Sequence, residues 1–244
     1  MAYYFNNLNQ KIAYNYIKGK SPGIVFIHGL NSDMQGLKAL AIEKYAKKNK
    51  LSFLRFDCRG HGRSHGKFEN FTISDWKKDL VDLLDNITSG PQILVGSSMG
   101  GWLMMLATKA RKKRVCGLLG LATAVDFGNH MYSNLSKKSK KEIKYKGSTL
   151  IKDYSFSYKL TKNFFIEAKK NNILNKPFRF NKPLILLHGL NDDVVSCNMP
   201  QKIMKNTTGS LVQIHYLKSS DHRLSSDQDL KSIVNTVDRI INLI

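Results

Sequence analysis

Alternating polar and apolar positions mark the start of the chain. Tyr3 and Phe5 precede a polar stretch at residues 6–9, and residues 11–18 then alternate again. A period of two is typical of half-buried antiparallel strands, because successive side chains point to opposite faces of a sheet. The pattern therefore predicts an antiparallel hairpin at the amino-terminal end of the fold.

After residue 22 the pattern changes to short, continuous apolar runs separated by longer amphipathic stretches. A short continuous run is typical of a strand covered on both faces, and an apolar repeat of three to four residues is typical of a helix. The runs predict strands at 23–27, 51–56, 92–95, 115–121, 183–187 and 211–217, and the amphipathic stretches predict helices at 37–48, 73–84, 100–110, 199–205 and 227–243. This alternation predicts an α/β fold with a mostly parallel, doubly wound sheet.

The alternation is lost between residues 126 and 182, a segment rich in lysine, asparagine and aromatic residues. Because this segment separates two halves of one sheet, we predict a single domain over residues 1–244 with a cap insertion at 126–182. Its large apolar side chains include Phe127, Met131, Tyr132, Tyr154, Phe156, Tyr158, Phe164 and Phe165, interleaved with lysines. Two interpretations stay open: these side chains line an apolar cleft with a cationic rim that favours anionic leaving groups, or they pack the cap's own core beneath solvated lysines.

Composition adds a strong positive charge to an otherwise ordinary globular chain. Of 244 residues, 42% are hydrophobic, which is enough for one sizeable core and excludes a disulfide-stapled miniprotein and a disordered chain. Lysine and arginine total 39 against 18 aspartate and glutamate, a net charge of +21. Only eight of the basic residues are arginine, the better reader of phosphates and bases, and the lysines are scattered. We therefore expect no specific nucleic-acid partner.

The three cysteines, Cys58, Cys116 and Cys197, are far apart and form no C-x-x-C pair. An odd, dispersed set predicts neither a disulfide framework nor a redox motif, so a reducing compartment fits best. The first 20 residues lack the apolar core of a signal peptide, and no uncharged apolar run is long enough to span a bilayer. We expect a cytoplasmic protein without a membrane span, and the sequence does not indicate its oligomeric state.

Candidate chemistry begins with Gly96-Ser97-Ser98-Met99-Gly100, a G-x-S-x-G pattern. The pattern alone arises often in turns rich in glycine and serine. Here it follows one predicted strand and opens a predicted helix, which is where a nucleophile elbow must lie. Flanking glycines are needed because a Cβ at 96 or 100 would collide with so tight a turn. Ser98 is therefore the candidate nucleophile.

A serine nucleophile needs a base, and position removes six of the seven histidines. Those six end strands, lie inside a strand, or belong to a glycine-rich loop or to the insertion. His222 instead lies in a polar loop after a predicted strand, at the edge where open α/β sheets bind ligands. The third member is a carboxylate between Ser98 and His222 in the chain, and Asp192 and Asp193 both follow a strand end. We favour Asp192 for its spacing from the preceding glycine and the following valine, with Asp193 as a turn or helix-cap residue.

The oxyanion of a tetrahedral intermediate needs backbone donors, which come from the residue after the nucleophile and from the loop after an early strand. In this chain the candidates are the amides of Met99 and Leu30. Gly29, before Leu30, lets the chain turn without a side chain that blocks the acyl oxygen. A plain turn at the strand end is the alternative for residues 28–30.

Two rival motifs share the loop that follows the predicted strand at 51–56. Cys58, His61 and His65 have a metal-like spacing, but no second cluster of cysteine or histidine follows at the distance of a zinc site. The glycines at 60, 62 and 66 fit neither common phosphate-binding pattern, and a tight turn explains them better. We expect neither a metal nor a cofactor.

A family resemblance rests on four separated stretches: GPQILVGSSMGGWLM at 90–104, GLKALAIE at 36–43, LLHGLNDDVV at 186–195 and SDHRL at 220–224. In them the chain resembles α/β-hydrolase-fold serine esterases of the mitochondrial palmitoyl-protein thioesterase and acyl-glucuronide esterase branch, or a bacterial relative of that branch. The resemblance covers nearly the whole chain, and it implies that Ser98, Asp192 and His222 form a catalytic triad for acyl esters and thioesters. The chain departs from such enzymes at Ser196, where a proline is common, and most of all in the insertion, which leaves the identity of the substrate open.

We therefore predict a metal-independent serine hydrolase that cleaves carboxylic esters or acyl thioesters, of small molecules or of acylated proteins, through an acyl-enzyme. Hydrolysis of another bond on the same triad, an arylamide or a carbon–carbon bond, is one alternative. A basic nucleic-acid-binding protein on an inactive hydrolase scaffold is the other, and an intact candidate triad argues against it.

Overall fold

A computed structural model describes residues 1–153 and 156–244, without the side chains of Asp153 and Phe156. Tyr154 and the Phe156 side chain, two of the aromatic groups predicted for the insertion, lie outside the described residues. The strands are β1 (Ala2–Phe5), β2 (Lys11–Ile17), β3 (Lys20–Ile27), β4 (Leu51–Phe56), β5 (Gln92–Ser97), β6 (Val115–Leu121), β7 (Ser148–Asp153), β8 (Phe156–Thr161), β9 (Leu184–Gly189) and β10 (Val212–Leu217). The α-helices are α1 (Leu37–Lys48), α2 (Ile73–Asn86), α3 (Met99–Ala110), α4 (Phe127–Asn134), α5 (Lys137–Lys146), α6 (Lys162–Lys170), α7 (Met199–Asn206) and α8 (Asp227–Asn242).

One eight-stranded sheet has the strand order β1-β2-β4-β3-β5-β6-β9-β10. The strands β1 and β2 form the predicted antiparallel hairpin, and β2 also pairs antiparallel with β4. From β4 to β10 every neighbouring pair in the sheet is parallel. The predicted mostly parallel α/β sheet is thus confirmed. Its consequence for function is that the carboxyl ends of β3, β5, β9 and β10 meet at one edge.

Apolar side chains cover both faces of this sheet. On one face, α2 and α3 bury residues such as Trp76, Leu80 and Leu103. On the other face, α1 and α8 bury residues such as Ile42 and Val237. The central strand β5 is buried along its whole length, which explains why residues 93–95 form a continuous apolar run rather than an alternation.

Most predicted boundaries agree with the structure to within two residues. The largest difference lies at the start of β3, which begins at Lys20 rather than at residue 23, and β5 and β9 also continue past their predicted ends through Ser97 and Gly189. Ladder hydrogen bonds join backbone atoms whatever the side chain, so these small residues still pair with neighbouring strands. The amino-terminal end of β3 precedes the apolar run at 23–27, because the backbone N–H of Lys20 donates to the carbonyl of Lys50 and so pairs with the neighbouring chain.

Residues 126–182 lie between β6 and β9 and fold as α4, α5, an antiparallel pair of β7 with β8, and α6. Their aromatic side chains pack against the rest of the molecule. The ring centroid of Phe164 lies 6.3 Å from those of Phe68 and Trp76, and that of Phe127 lies 5.2 Å from that of Trp102. The lysines of α5 are mostly exposed. Phe68, Trp76 and Trp102 lie outside the insertion, so its aromatic residues pack onto the rest of the domain as well as onto one another, and both interpretations of the insertion stay predictions.

A tight turn joins β5 to α3 at Ser98, whose backbone adopts a φ of 53° and a ψ of −117°. Such a conformation costs about 1–3 kcal/mol in a residue other than glycine. A Cβ on Gly96 would lie 2.4 Å from the carbonyl oxygen of Gly100, and one on Gly100 would lie 2.2 Å from that of Ile27. The turn therefore needs glycine at both flanks, and the surrounding backbone fixes where Ser98 stands.

We expect Gly100→Ala to lower the free energy of unfolding by about 3 kcal/mol, because the new methyl group meets the backbone of β3. Urea denaturation followed by circular dichroism measures this loss. Gly36→Ala is the matched control, since the nearest atom to a Cβ there is 4.0 Å away and its φ is −60°. Equal losses in the two variants would contradict the close approach of α3 to β3.

Candidate active site

Ser98 stands on the turn between β5 and α3, at the carboxyl edge of the sheet. Its backbone N–H donates to the carbonyl of Leu121 at 2.8 Å, and its own carbonyl accepts from the N–H groups of Gly101 and Ala124. The turn is therefore fixed both to α3 and to the end of β6. Ser98 and His222 line a common cavity of about 550 Å³, called here the Ser98 cavity.

His222 reaches the Ser98 cavity from the loop after β10. Its Nε2 lies 3.2 Å from Ser98 Oγ, and its Nδ1 lies 2.9 Å from Asp192 Oδ2. An ionised carboxylate only accepts hydrogen bonds, so the proton of the neutral ring is assigned to Nδ1. Nε2 is then the acceptor that faces the serine hydroxyl, which is the arrangement needed to remove its proton.

Two helices hold the His222 loop in place. The hydroxyl of Ser220 donates to Asp229 of α8, and the ammonium of Lys38 on α1 donates to the carbonyl of Arg223. Lys38 also lines the Ser98 cavity, and burial lowers its pKa to about 8. The position of the imidazole thus depends on how α1 and α8 pack against the sheet.

Asp192 lies in the turn after β9, and its side chain is completely buried. Its Oδ1 accepts the backbone N–H groups of Val194 at 2.9 Å and Val195 at 2.7 Å, while Oδ2 accepts from His222. Burial by itself raises the pKa of Asp192, but these hydrogen bonds and the nearby ring outweigh it and hold the pKa below its usual value. Asp193 is exposed, and the carboxylate that contacts the ring at Nδ1 is that of Asp192. The geometry thus agrees with the preference for Asp192 over Asp193.

His188 makes a contact that sequence reasoning missed, because its place at the end of β9 excluded it as a base. Its fully buried Nε2 lies 3.3 Å from Asp192 Oδ2 and 3.0 Å from the carbonyl oxygen of Val195. Both partners are acceptors, so the proton is assigned to Nε2. Asp192 therefore lies between two imidazoles. In the sequence, the one indication of this contact is the short spacing between His188, at the end of β9, and Asp192, in the turn that follows.

Leu30 and Met99, the predicted oxyanion donors, both lie next to Ser98. Leu30 lines the Ser98 cavity, and Met99 is the first residue of α3, where amide N–H groups have no intrahelical partner. A Cβ on Gly29 would lie 3.3 Å from Ser98 Cβ, so the loop before Leu30 passes directly beside the nucleophile candidate. Leu30 and Met99 therefore flank Ser98, and the role of their amides stays a prediction.

The residues of the rival metal motif do not form a cluster. Cys58 and His61 are buried, whereas His65 is exposed. Within the described chain, no group of three or more histidine, cysteine, aspartate or glutamate residues is arranged to hold a metal ion. The nearby His28 uses both nitrogens, because Nδ1 donates to the carbonyl of Gly29 at 2.7 Å and Nε2 accepts the N–H of Cys58 at 3.0 Å. His28 is therefore not available as a base.

Known proteins resemble this chain over almost all of its length. Residues 20–172 match the family described as serine aminopeptidase, S33 (Hydrolase_4). The chain is 40% identical over 234 residues to the mitochondrial palmitoyl-protein thioesterase ABHD10 of Bos taurus. The aligned residues make up 95% of this chain and 76% of that protein. The protein of the same name from Homo sapiens has the same identity and coverage.

Solved structures show the same relationship. The mouse alpha/beta hydrolase domain-containing protein 10 superposes with a TM-score of 0.91 at 35% identity and covers 99% of this chain and 98% of its own. Est1E from Butyrivibrio proteoclasticus, solved with ferulic acid, has a TM-score of 0.83 at 20% identity with the same coverage, and shows a likeness of fold alone. By sequence and by fold, the chain belongs to the serine aminopeptidase S33 family of α/β hydrolases.

Proposed function

We propose that this protein is a serine hydrolase that cleaves carboxylic esters or acyl thioesters through an acyl-enzyme. The observation that carries the proposal is the chain of contacts from Ser98 Oγ to His222 at 3.2 Å and from His222 to Asp192 at 2.9 Å. A nucleophile, its base and an orienting acid need contacts of this length. Relatives named palmitoyl-protein thioesterase support the type of bond.

The acylation half begins when Ser98 Oγ attacks the carbonyl carbon of the substrate while His222 Nε2 takes the hydroxyl proton. The carbonyl oxygen then carries a negative charge, which the backbone N–H groups of Leu30 and Met99 stabilise. His222 gives the proton to the departing alcohol or thiol, and the acyl group stays bonded to Ser98. Asp192 keeps Nε2 directed at the serine and stabilises the imidazolium while it exists.

The deacylation half repeats these steps with water as the nucleophile. His222 Nε2 removes a proton from the water molecule, whose oxygen attacks the acyl carbon. The same two amides bind the oxyanion, and the proton passes from His222 to Ser98 Oγ as the ester bond breaks. A carboxylic acid leaves, and the serine hydroxyl is restored.

The lining of the Ser98 cavity supports an apolar acyl group. Phe26, Leu30 and Leu37 contribute to its wall, and Lys38 and Arg223 add positive charge near His222. We propose further that residues 126–182 act as the cap of a single domain over residues 1–244, because their aromatic side chains pack beside the loops at this edge.

Small-molecule esters, thioesters or acylated proteins are the partners that this function implies, and no specific nucleic-acid partner is expected. Among the helices of the described chain, none combines the length and the apolar character needed to cross a bilayer. The mammalian relatives are named as mitochondrial proteins. A cytoplasmic location stays a proposal for this chain, supported by its free cysteines, which fit a reducing compartment.

Three substrates that share one acyl chain test the proposed bond type. We expect the wild-type protein to hydrolyse the p-nitrophenyl ester and the alkyl thioester, and to hydrolyse the p-nitroanilide about 100-fold more slowly, because an amine leaves only when it is fully protonated. Absorbance assays of kcat/KM decide the order. A faster anilide would favour the arylamide alternative, and no turnover together with salt-sensitive retention on DNA would favour the nucleic-acid alternative.

Ser98→Ala is expected to lower kcat by about 10⁴-fold and to abolish labelling by a fluorophosphonate, because the attacking oxygen is lost. Circular dichroism should show an unchanged fold, since alanine keeps the Cβ of Ser98 and lacks only the hydroxyl oxygen. Ser97→Ala is the matched control from the same turn and should keep both activity and labelling. The opposite pattern would place the nucleophile at Ser97.

Asp192→Asn is expected to lower kcat by about 10⁴-fold, because an amide stabilises neither the required tautomer of His222 nor its imidazolium. Asp193→Asn should leave kcat within about twofold of wild type, since an exposed carboxylate contributes little. Steady-state kinetics with the thioester measures both variants. An active Asp192→Asn beside an inactive Asp193→Asn would reverse the assignment.

A further inference from the structure

The Asp192 turn, defined here as residues 190–195, packs against the loop after β10. The backbone N–H of Asn191 donates to the carbonyl of Ser220 in that loop at 3.0 Å. A Cβ on Gly189 would lie 2.2 Å from the same carbonyl oxygen, so the end of β9 passes directly against the loop. These contacts fix the amino-terminal half of the Asp192 turn.

His188 supports the other half of the turn from inside the protein. Its side chain is completely buried, and its Nε2 donates to the carbonyl of Val195 at 3.0 Å. The N–H of Val195 donates in turn to Asp192 Oδ1 at 2.7 Å, so Val195 links the imidazole to the carboxylate. Nε2 also lies 3.3 Å from Oδ2, the oxygen that contacts His222. The positive end of the His188 N–H dipole is therefore beside a buried negative charge.

Every polar contact that the described residues make with the His188 ring runs through Nε2. None of them forms a hydrogen bond with Nδ1. The ring centroid lies 6.5 Å from that of Tyr216 on β10, which packs edge-on against it. His188 does not line the Ser98 cavity, so it does not face a substrate held there. Its polar contacts are thus all with the Asp192 turn.

We propose that His188 is a positioning residue of the candidate triad and acts through the Asp192 turn. The proposal rests on the proposed function, since it concerns the same site. His222 becomes an imidazolium during acylation and deacylation, and its stabilisation depends on the place and direction of the Asp192 carboxylate. A carboxylate whose turn is free to shift stabilises this cation less well, because charge interactions weaken with distance. His188 therefore raises kcat without contacting the substrate.

Removal of the donor tests this role. His188→Met keeps a long side chain without an N–H, and should lower kcat for an acyl thioester about 10- to 100-fold, the worth of one hydrogen bond beside a charged group. KM should stay within about twofold of wild type, because the substrate makes no contact with His188. His188→Gln supplies an amide N–H near the position of Nε2 and should restore kcat to within about threefold of wild type. Steady-state kinetics measures both constants.

His215→Met is the matched control. His215 lies on the neighbouring strand β10, opposite Leu187 in the sheet, and does not line the Ser98 cavity. Its replacement by methionine should leave kcat at the wild-type value. Circular dichroism shows whether each variant is folded at the temperature of the assay.

A double-mutant cycle shows whether His188 acts through Asp192. In the wild-type background, His188→Met should slow labelling of Ser98 by a fluorophosphonate about tenfold. In the Asp192→Asn background it should slow the residual labelling by less than about twofold, because the charge that His188 positions is already gone. Nitrogen NMR of histidine-labelled wild-type protein supplies a test that needs no variant, since it should find the His188 proton on Nε2.

Each result supports the positioning role or overturns it. Unchanged kcat in His188→Met, no recovery in His188→Gln, equal losses in the two backgrounds of the cycle, or a proton on Nδ1 would each overturn it. The NMR result decides the matter even where the methionine variant does not fold. Any of these results, together with thioester hydrolysis by the wild type, leaves the proposed function intact. No hydrolysis by the wild type ends the proposed function, and the positioning role with it.

Discussion

The close approach of α3 to β3 is the constraint on which the rest of the site depends. Gly100 lies so near the carbonyl of Ile27 that no side chain fits between them, and this contact sets the start of the helix. Ser98 must then adopt a strained backbone to connect the buried strand β5 to that helix. The strain persists because backbone hydrogen bonds to Leu121 and Ala124 also hold the turn from the side of β6. The position of the nucleophile candidate is therefore a property of the sheet rather than of one loop.

The other two members of the candidate triad depend on support from outside their own loops. His222 is held by a loop that Lys38 of α1 and Asp229 of α8 fix, and these two helices pack on the same face of the sheet. Asp192 is held by its own turn and by His188 at the end of β9. Parallel strands bring these loops to one edge, but their final alignment comes from helix packing and buried hydrogen bonds. Substitutions that alter the packing of α1 or α8 therefore move the imidazole of His222 without contacting it.

The sequence predicted the parts of the molecule whose signals are local. Ser98 was found from glycine spacing after an apolar run, and His222 and Asp192 from polar loops after strand ends. The antiparallel pairing of β2 with β4 left no such signal, because it joins segments separated by β3 and α1. The insertion gave none either, since α5 buries only one of its residues, Ile143, and so lacks an apolar stripe. The contacts of His61 and His188 leave no pattern in the sequence. His61 packs against Trp76, which is distant in the chain, and His188 meets Asp192 only once the turn after β9 has folded.

The way in which the insertion is attached bears on how the site chooses substrates. Glu167 accepts the hydroxyl of Ser74 at 2.6 Å, and the carbonyl of Asn171 accepts the indole N–H of Trp102 at 3.0 Å, so α6 is bound to both α2 and α3. Phe164 is buried at the same junction. A segment anchored in this way favours clefts that are formed before the substrate arrives over clefts that form by a large closing motion.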